Sequence, residues 1–120
     1  MEITVSQAVA ISDALETVAK KPMNAKLAYR LERIGDKVAP IVKSFRKKNQ
    51  QLIVEKYGVK GEGDGFKVPP ENLDAFFGEV ETILQEKENV ELFQVTIDDF
   101  DGVEVTPDFL KAISPLIKEA

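Results

Sequence analysis

Apolar residues recur at alternating steps of three and four between about residues 23 and 57, the longest regular pattern in the chain. The positions of this interaction seam are Leu27, Leu31, Ile34, Val38, Ile41, Phe45 and Leu52. Such spacing keeps one stripe of a helix facing a partner, so it predicts a long helix with a coiled-coil type of seam. At about 1.5 Å per residue the helix would be roughly 50 Å long, more than a compact domain of this size spans. We therefore expect part of it to project or to pack on another chain.

Pro40 lies inside this pattern. A proline within a helix removes one backbone donor and clashes with the preceding turn, at a cost of about 3 kcal/mol. Because the seam continues in register on both sides of Pro40, we expect a kink, and a break into two helices is the alternative. Gly58 follows Tyr57 and predicts the end of the helix, since glycine is favoured just past a helix C-terminus.

Two shorter patterns predict further helices. One runs from Ser6, a suitable N-cap, to Lys21, with Pro22 marking its end. The other covers about residues 70–87, where a wide apolar face is bordered by carboxylates. This acidic helix is the expected antiparallel partner of the basic long helix.

The remaining segments predict a small β element and a closing helix. Residues 3–5 and 66–68 favour short strands, and residues 90–97 are rich in β-branched and aromatic side chains typical of a strand. Thr106 is the expected N-cap of a short C-terminal helix that Pro115 bends or ends. The predicted fold is α+β and predominantly helical: a long kinked helix in an antiparallel helical hairpin, a small β element and a short C-terminal helix, in a single domain of residues 1–120.

The amino-acid composition limits the kinds of catalytic and metal sites that the chain can form. The chain has 120 residues with no His, no Cys and no Trp, so it has neither an imidazole nor a thiol for nucleophilic catalysis or a zinc finger. No apolar run approaches the length of a membrane span, and the N-terminal residues lack the features of a signal peptide. We expect no enzymatic activity, no catalytic residues, no cofactor, no metal and no membrane association, and a cytoplasmic location.

Charge is distributed unevenly along the chain. Residues 1–60 carry twelve Lys and Arg against six Asp and Glu, whereas residues 61–120 carry four against fifteen, and the net charge is −5. We expect the two halves to attract each other or a second copy of the chain. The possible charged partner surface comprises Arg30, Arg33, Lys37, Lys43, Arg46 and Lys47. The acidic net charge argues against nucleic acid as the partner.

Two short motifs have alternative interpretations. The glycine-rich stretch 58–65 resembles a phosphate loop, but it follows a helix C-terminus and carries Glu62 and Asp64, so a hairpin turn is favoured. Asp99 and Asp101 fit two positions of a calcium loop, while two other required positions do not fit. An acidic turn is therefore favoured, and weak calcium binding is the alternative.

The chain resembles a family of small phage-encoded proteins of uncharacterised function, found in tailed phages of Gram-positive bacteria and in prophages. The residues that carry the resemblance are segments 26–31, 41–51, 55–58, 66–68 and 105–110. The family has no assigned catalytic residues, so the resemblance implies none here.

These observations favour a non-enzymatic phage accessory protein. It would bind a phage or host protein and form a homo-oligomer through the seam of the long helix. One alternative is a small-molecule binder that sequesters a nucleotide signal of host antiphage defence, with Lys and Arg of the long helix as ligands. Another is a virion assembly or tail-associated protein, which would add the virion to the expected location in the cytoplasm of the bacterial host.

Overall fold

The computed structural model describes residues 1–61, 63 and 65–118. Its centre is a hairpin of two helices, α1 (Val5–Val18) and α2 (Ala25–Leu52). Their apolar faces pack along each other, and smaller elements from the second half of the chain cover them. The molecule is thus predominantly helical with small antiparallel sheets, which confirms the α+β prediction.

Side-chain caps fix where both helices begin. The Thr4 hydroxyl accepts a hydrogen bond from the Gln7 amide at 3.0 Å, while the Gln7 side chain accepts one from the Thr4 amide at 2.8 Å. This reciprocal pair starts α1 two residues earlier than a Ser6 cap predicts. In the same way Asn24 accepts from the Leu27 amide at 2.8 Å and starts α2.

The long helix continues through Pro40 without a break, so the alternative of two separate helices is wrong. Its last turn, Ile53–Tyr57, widens into a π-helical turn, in which the Gly58 amide donates to the Ile53 carbonyl oxygen at 2.6 Å. The predicted helix end at Tyr57 is confirmed. Gly58 has an extended backbone (φ −85°, ψ 153°), which differs from the left-handed conformation common for a glycine after a helix.

The seam of α2 faces the interior of the chain itself. Leu27, Leu31, Ile34 and Val38 are buried in the main core against α1. Beyond them the buried position shifts to Val42, whereas Ile41 and Phe45 are half-buried and Leu52 is buried near the helix end. The first half of the expected interaction seam is therefore an intramolecular contact, because α1 already covers it.

Two small antiparallel sheets join distant parts of the chain. Strand β1 (Glu2–Thr4) pairs with β4 (Lys87–Asn89), and β2 (Val59–Lys60) pairs with β3 (Phe66–Lys67). The turn between β2 and β3 contains Gly63 at φ +79°, a left-handed conformation that glycine accommodates without strain. This hairpin agrees with the favoured interpretation of the glycine-rich stretch, while Glu62 and Asp64 lie outside the described residues.

Residues 90–97 do not form the predicted strand. Val95 alone makes a parallel bridge, to Ile117, and its amide donates to the Leu116 carbonyl oxygen at 2.9 Å. The apolar side chains of this segment serve burial in part, since Val90 and Leu92 pack against the core while Phe93 is exposed. Val90 exchanges two backbone hydrogen bonds of 2.9 Å with Met1 beside the β1–β4 pair, and the pairing does not continue as a strand beyond it.

Helix α3 (Pro70–Leu84) and helix α4 (Pro107–Ala112) complete the helical set. The Thr106 hydroxyl accepts from the Phe109 amide at 3.1 Å, which confirms the predicted cap of α4. A 3₁₀ turn at Ser114–Leu116 contains Pro115, so the proline lies beyond the end of α4. Helix α3 contacts both α1 and α2, but α1 packs along the long helix far more extensively. The expected pairing of the acidic helix with the long helix is therefore wrong, because α1 takes the main place along α2.

The molecule is elongated. Its extents are 49 × 30 × 22 Å and its Cα radius of gyration is 17.2 Å, against about 14 Å for a compact chain of this length. The end of α2 accordingly extends beyond the main core and carries the β2–β3 hairpin and part of α3. Among the described helices, none combines the length and the apolar character that crossing a membrane requires.

Candidate functional site

Helix α3 is anchored by one narrow face. The Asn72 side-chain amide donates to the Tyr57 carbonyl oxygen at 3.0 Å. One turn further, Phe76 is buried with its ring edge-on to Tyr57, at 6.1 Å between centroids. These contacts hold α3 against the π-helical turn and leave the rest of its apolar surface outside the main core.

A charged cluster strengthens this anchor. Lys56 Nζ lies 3.0 Å from Glu79 Oε1 and 5.3 Å from the centre of the Tyr57 ring. Hydrogen bonding from Tyr57 and then from Lys56 lowers the pKa of Glu79. Hydrogen bonding to Glu79 in turn raises the pKa values of both Lys56 and Tyr57. The cluster therefore fixes the rotation of α3 about its axis while all three groups keep their usual protonation states near neutral pH.

A second apolar stripe on α3 is not filled by the chain. Its members are Leu73, Phe77, Val80 and Leu84, at steps of four, three and four. Phe77 is 57% exposed, and the other three are half-buried without joining the main core. Since successive residues of a helix are about 100° apart, this stripe lies to one side of the anchoring face that contains Phe76. The α3 stripe thus has the spacing of a helix-packing seam, and Phe77 is its exposed member.

Carboxylates border the α3 stripe. Asp74 and Glu81 are exposed and each directly follows a stripe residue, at the positions that flank the seam of a coiled coil. Such flanking positions select the charge of a partner helix. A helix that covers the stripe would therefore need cations on this side.

Further apolar side chains are exposed in the same part of the molecule. Val54 in the π-helical turn, Val59 in β2 and Phe66 in β3 are 40%, 53% and 43% exposed. Together with Phe77 they make up four of the eight large exposed apolar side chains within the described ranges. Clustered exposed apolar residues mark interaction surfaces more often than isolated ones do.

The residues of the charged surface predicted on α2 fall into three groups, which differ in their ion pairs. Arg30 Nη1 is 3.8 Å from Asp99 Oδ2, and Arg46 Nη2 is 3.9 Å from Asp13 Oδ1. The other predicted members are exposed, and the structure gives them no ion pair within 4.0 Å among the residues that it describes: Arg33, Lys37, Lys43 and Lys47. Arg30 thus pairs with the acidic second half of the chain, as the attraction between the halves implies, while Arg46 pairs within the first half.

Asp99 functions as a capping residue. Its Oδ2 accepts a hydrogen bond from the Thr96 amide at 2.8 Å, and this bond is the main cause that lowers the pKa of Asp99, with Arg30 contributing less. In the described part of the chain no three carboxylates converge to form a metal site. The geometry around Asp99 is therefore that of an acidic capped turn, as the favoured interpretation of this segment had it.

The α3 stripe was missed at the sequence level although a signal was present. The apolar face of α3 spans Phe76 and Phe77 as well as positions a turn away, and is wider than one packing contact covers. Such width indicates either deep burial or two separate contacts, and in the structure Phe76 is buried while Phe77 remains exposed.

Comparison with known proteins finds no matching family model, no similar curated protein and no similar solved structure.

Proposed function

We propose that this protein is a non-enzymatic binding protein that receives a basic amphipathic helix of another protein on the α3 stripe. The observation that carries the proposal is the exposure of Phe77 within a stripe of helix-packing spacing. An exposed aromatic residue at the centre of an apolar stripe is the typical anchor of a protein interface.

The spacing of the stripe favours a helix as the bound element. Leu73 and Leu84 are eleven residues apart, which corresponds to about 16 Å along the axis of α3. Three turns of a partner helix span this distance and can place apolar residues at complementary steps of three and four.

The charges on the flank favour a different protein over a second copy of this chain. Antiparallel pairing of two α3 helices would bring Asp74 and Glu81 close to the same residues of the other copy, which is repulsive. Parallel pairing would require the side of α3 that contains Phe76, and this side is occupied by the π-helical turn. A partner with Lys or Arg opposite Asp74 and Glu81 replaces the repulsion by attraction.

The resemblance to phage-encoded proteins supports a phage or host protein as the partner, and hence a bacterial cytoplasm or a virion as the location. The alternative of nucleotide sequestration has less support. Arg33, Lys37, Lys43 and Lys47 lie on the outer face of α2, and ligand sites for small molecules are concave.

Two synthetic peptides of opposite charge test this proposal. Each has about 18 residues, long enough to form a helix, with leucines at steps of four and three and either Lys or Glu at the flanking positions. We expect the Lys peptide to bind in a fluorescence anisotropy titration and the Glu peptide to bind at least tenfold more weakly. Equal binding of both peptides, or binding of neither, would contradict the proposal.

Variants of the stripe locate the binding. Phe77→Asp should weaken binding of the Lys peptide about 30-fold, as expected for an interface anchor worth about 2 kcal/mol. Ile97→Asp is the matched control, because Ile97 is 56% exposed and lies outside α3. The double variant Asp74→Lys with Glu81→Lys should reverse the preference in favour of the Glu peptide. Unchanged binding by Phe77→Asp would place the site elsewhere.

A further inference from the structure

A groove lies between α1 and α2, apart from the α3 stripe. It has a volume of about 420 Å³. Leu15 and Leu31 provide apolar walls from the two helices, and Met23 lies at the end where the helices are connected. The room exists because Ala19, Ala28 and Gly35 have small side chains or none.

The wall at Gly35 shows how closely the groove is fitted. A Cβ atom added there would lie 3.6 Å from Leu15 Cδ1, an ordinary van der Waals contact. One methyl group is therefore accommodated without displacing Leu15, while a larger side chain must occupy the space of the groove itself. This makes Gly35 the position at which the groove can be filled from within.

The polar groups around the groove are mainly acidic. Glu16 from α1 and Glu32 from α2 contribute carboxylates to its lining. Lys21 contributes an ammonium group, but its Nζ donates to the Glu104 carbonyl oxygen at 2.6 Å. The lining thus carries two carboxylates against one ammonium group that is bonded within the chain, and this balance favours a cation.

We infer that this groove binds a compact apolar molecule that carries a positively charged amine. Its lining spans residues 12–19 of α1 and 28–35 of α2, each about 10 Å of helix. This length suits a ring system or a short chain. It is too short for three turns of a peptide helix, which need about 16 Å. The volume also lies in the range of small-molecule sites. The inference is independent of the α3 stripe and of its protein partner.

A pair of ring compounds with opposite charges tests this site. We expect 1-naphthylmethylamine to bind saturably with one molecule per chain in isothermal titration calorimetry, and 1-naphthoic acid to bind at least tenfold more weakly. Chemical-shift changes in the protein should centre on Leu15, Ala28 and Gly35. Equal binding of the two compounds, or the absence of saturable binding, would overturn the inference.

Variants separate this site from the α3 stripe. Gly35→Leu should fill the groove and reduce affinity for the amine more than tenfold, while Gly35→Ala should keep the fold and bind within about threefold of the original chain. Glu16→Gln with Glu32→Gln should abolish the preference for the amine over the acid. Phe77→Asp should leave amine binding unchanged. Full affinity in Gly35→Leu, or displacement of the amine by the Lys peptide, would assign the groove to another role.

Discussion

Gly58 ends the long helix because of what lies next to it. A Cβ atom at this position would overlap the carbonyl oxygen of Ile53, the atom that accepts the hydrogen bond of the π-helical turn. The backbone angles of Gly58 are open to any residue, so space and not conformation requires the glycine. The sequence predicted the right residue at the right place for a different reason.

Substitutions at two glycines should change stability in opposite directions. Gly58→Ala should destabilise the protein by about 2 kcal/mol, because the overlap with Ile53 forces the backbone to shift. Gly78→Ala should stabilise it by about 0.5–1 kcal/mol, because an alanine there meets nothing within 4 Å and favours the helix. Urea unfolding of both variants measures the two values, and a destabilised Gly78→Ala would contradict the placement of Gly78 inside α3.

The pKa shifts of two carboxylates predict a loss of stability in acid. Glu79 and Asp99 have lowered pKa values in the folded protein, so each favours folding above its ordinary pKa of about 4. This contribution is lost as the pH falls through the lowered folded-state values. Unfolding curves between about pH 6 and pH 2 should therefore show declining stability, and Glu79→Gln should make the decline shallower. An equally steep decline in Glu79→Gln would exclude Glu79 as a source.

The N-caps of the helices show how well single residues could be assigned a role from the sequence. Thr106 was identified because Pro107 follows it, and proline is favoured at the first position of a helix. At the N-terminus Thr4 and Ser6 are both suitable caps, and the reciprocal bonds with Gln7 favour Thr4. The Thr-x-x-Gln spacing of this capping box is present in the sequence, so the cap at Thr4 was predictable.

The long helix illustrates the same limit at the level of elements. Its period and its end were predictable, because steps of three and four define a stripe whatever covers it. The element that packs on this stripe was not predictable, because α1 of the same chain and a helix of another chain both satisfy the same pattern. Burial of Ile34 and Val38 against α1 decides in favour of the chain itself.

The inward orientation of the seam can be tested by one core substitution. Ile34 is fully buried, so Ile34→Ala should lower the free energy of unfolding by about 2–5 kcal/mol. Because the contact lies within one chain, the unfolding midpoint should not depend on protein concentration. A midpoint that rises with concentration would indicate that the seam also contacts a second copy.

Strands were harder to predict than helices. The sequence Lys-Glu-Asn of β4 has little β propensity and is extended because β1 offers a complementary edge. Residues 91–94 have the better pattern and form no strand. Pairing between distant segments therefore decided both cases, and a local pattern contains no information about such pairing.

The elongated shape of the whole molecule follows from the length of α2. Because the smaller elements surround both ends of one long helix, the mass is spread along its axis. Small-angle scattering should give a radius of gyration close to the 17.2 Å of the structure, well above the value of about 14 Å for a compact chain. A value near 14 Å would mean that the end of α2 folds back onto the main core.

Charge also contributes to the organisation of the whole molecule. Lys56 with Glu79 and Arg30 with Asp99 join the basic first half to the acidic second half. The attraction expected from the sequence is thus partly satisfied inside the molecule. The outer face of α2 keeps positive charges, opposite in sign to the carboxylates that flank the α3 stripe. These charges belong to Arg33, Lys37, Lys43 and Lys47.

The pairing of β1 with β4 has a consequence for the order of folding. It brings together segments more than eighty residues apart, whereas α1 and α2 are neighbours along the chain. Closing so long a loop costs more entropy than closing the six-residue connection of the hairpin. The helical hairpin can therefore form early from local contacts, and the sheet must wait until α3 is in place. Strand β1, although it precedes both helices of the hairpin in the chain, is therefore among the last segments to reach its final position.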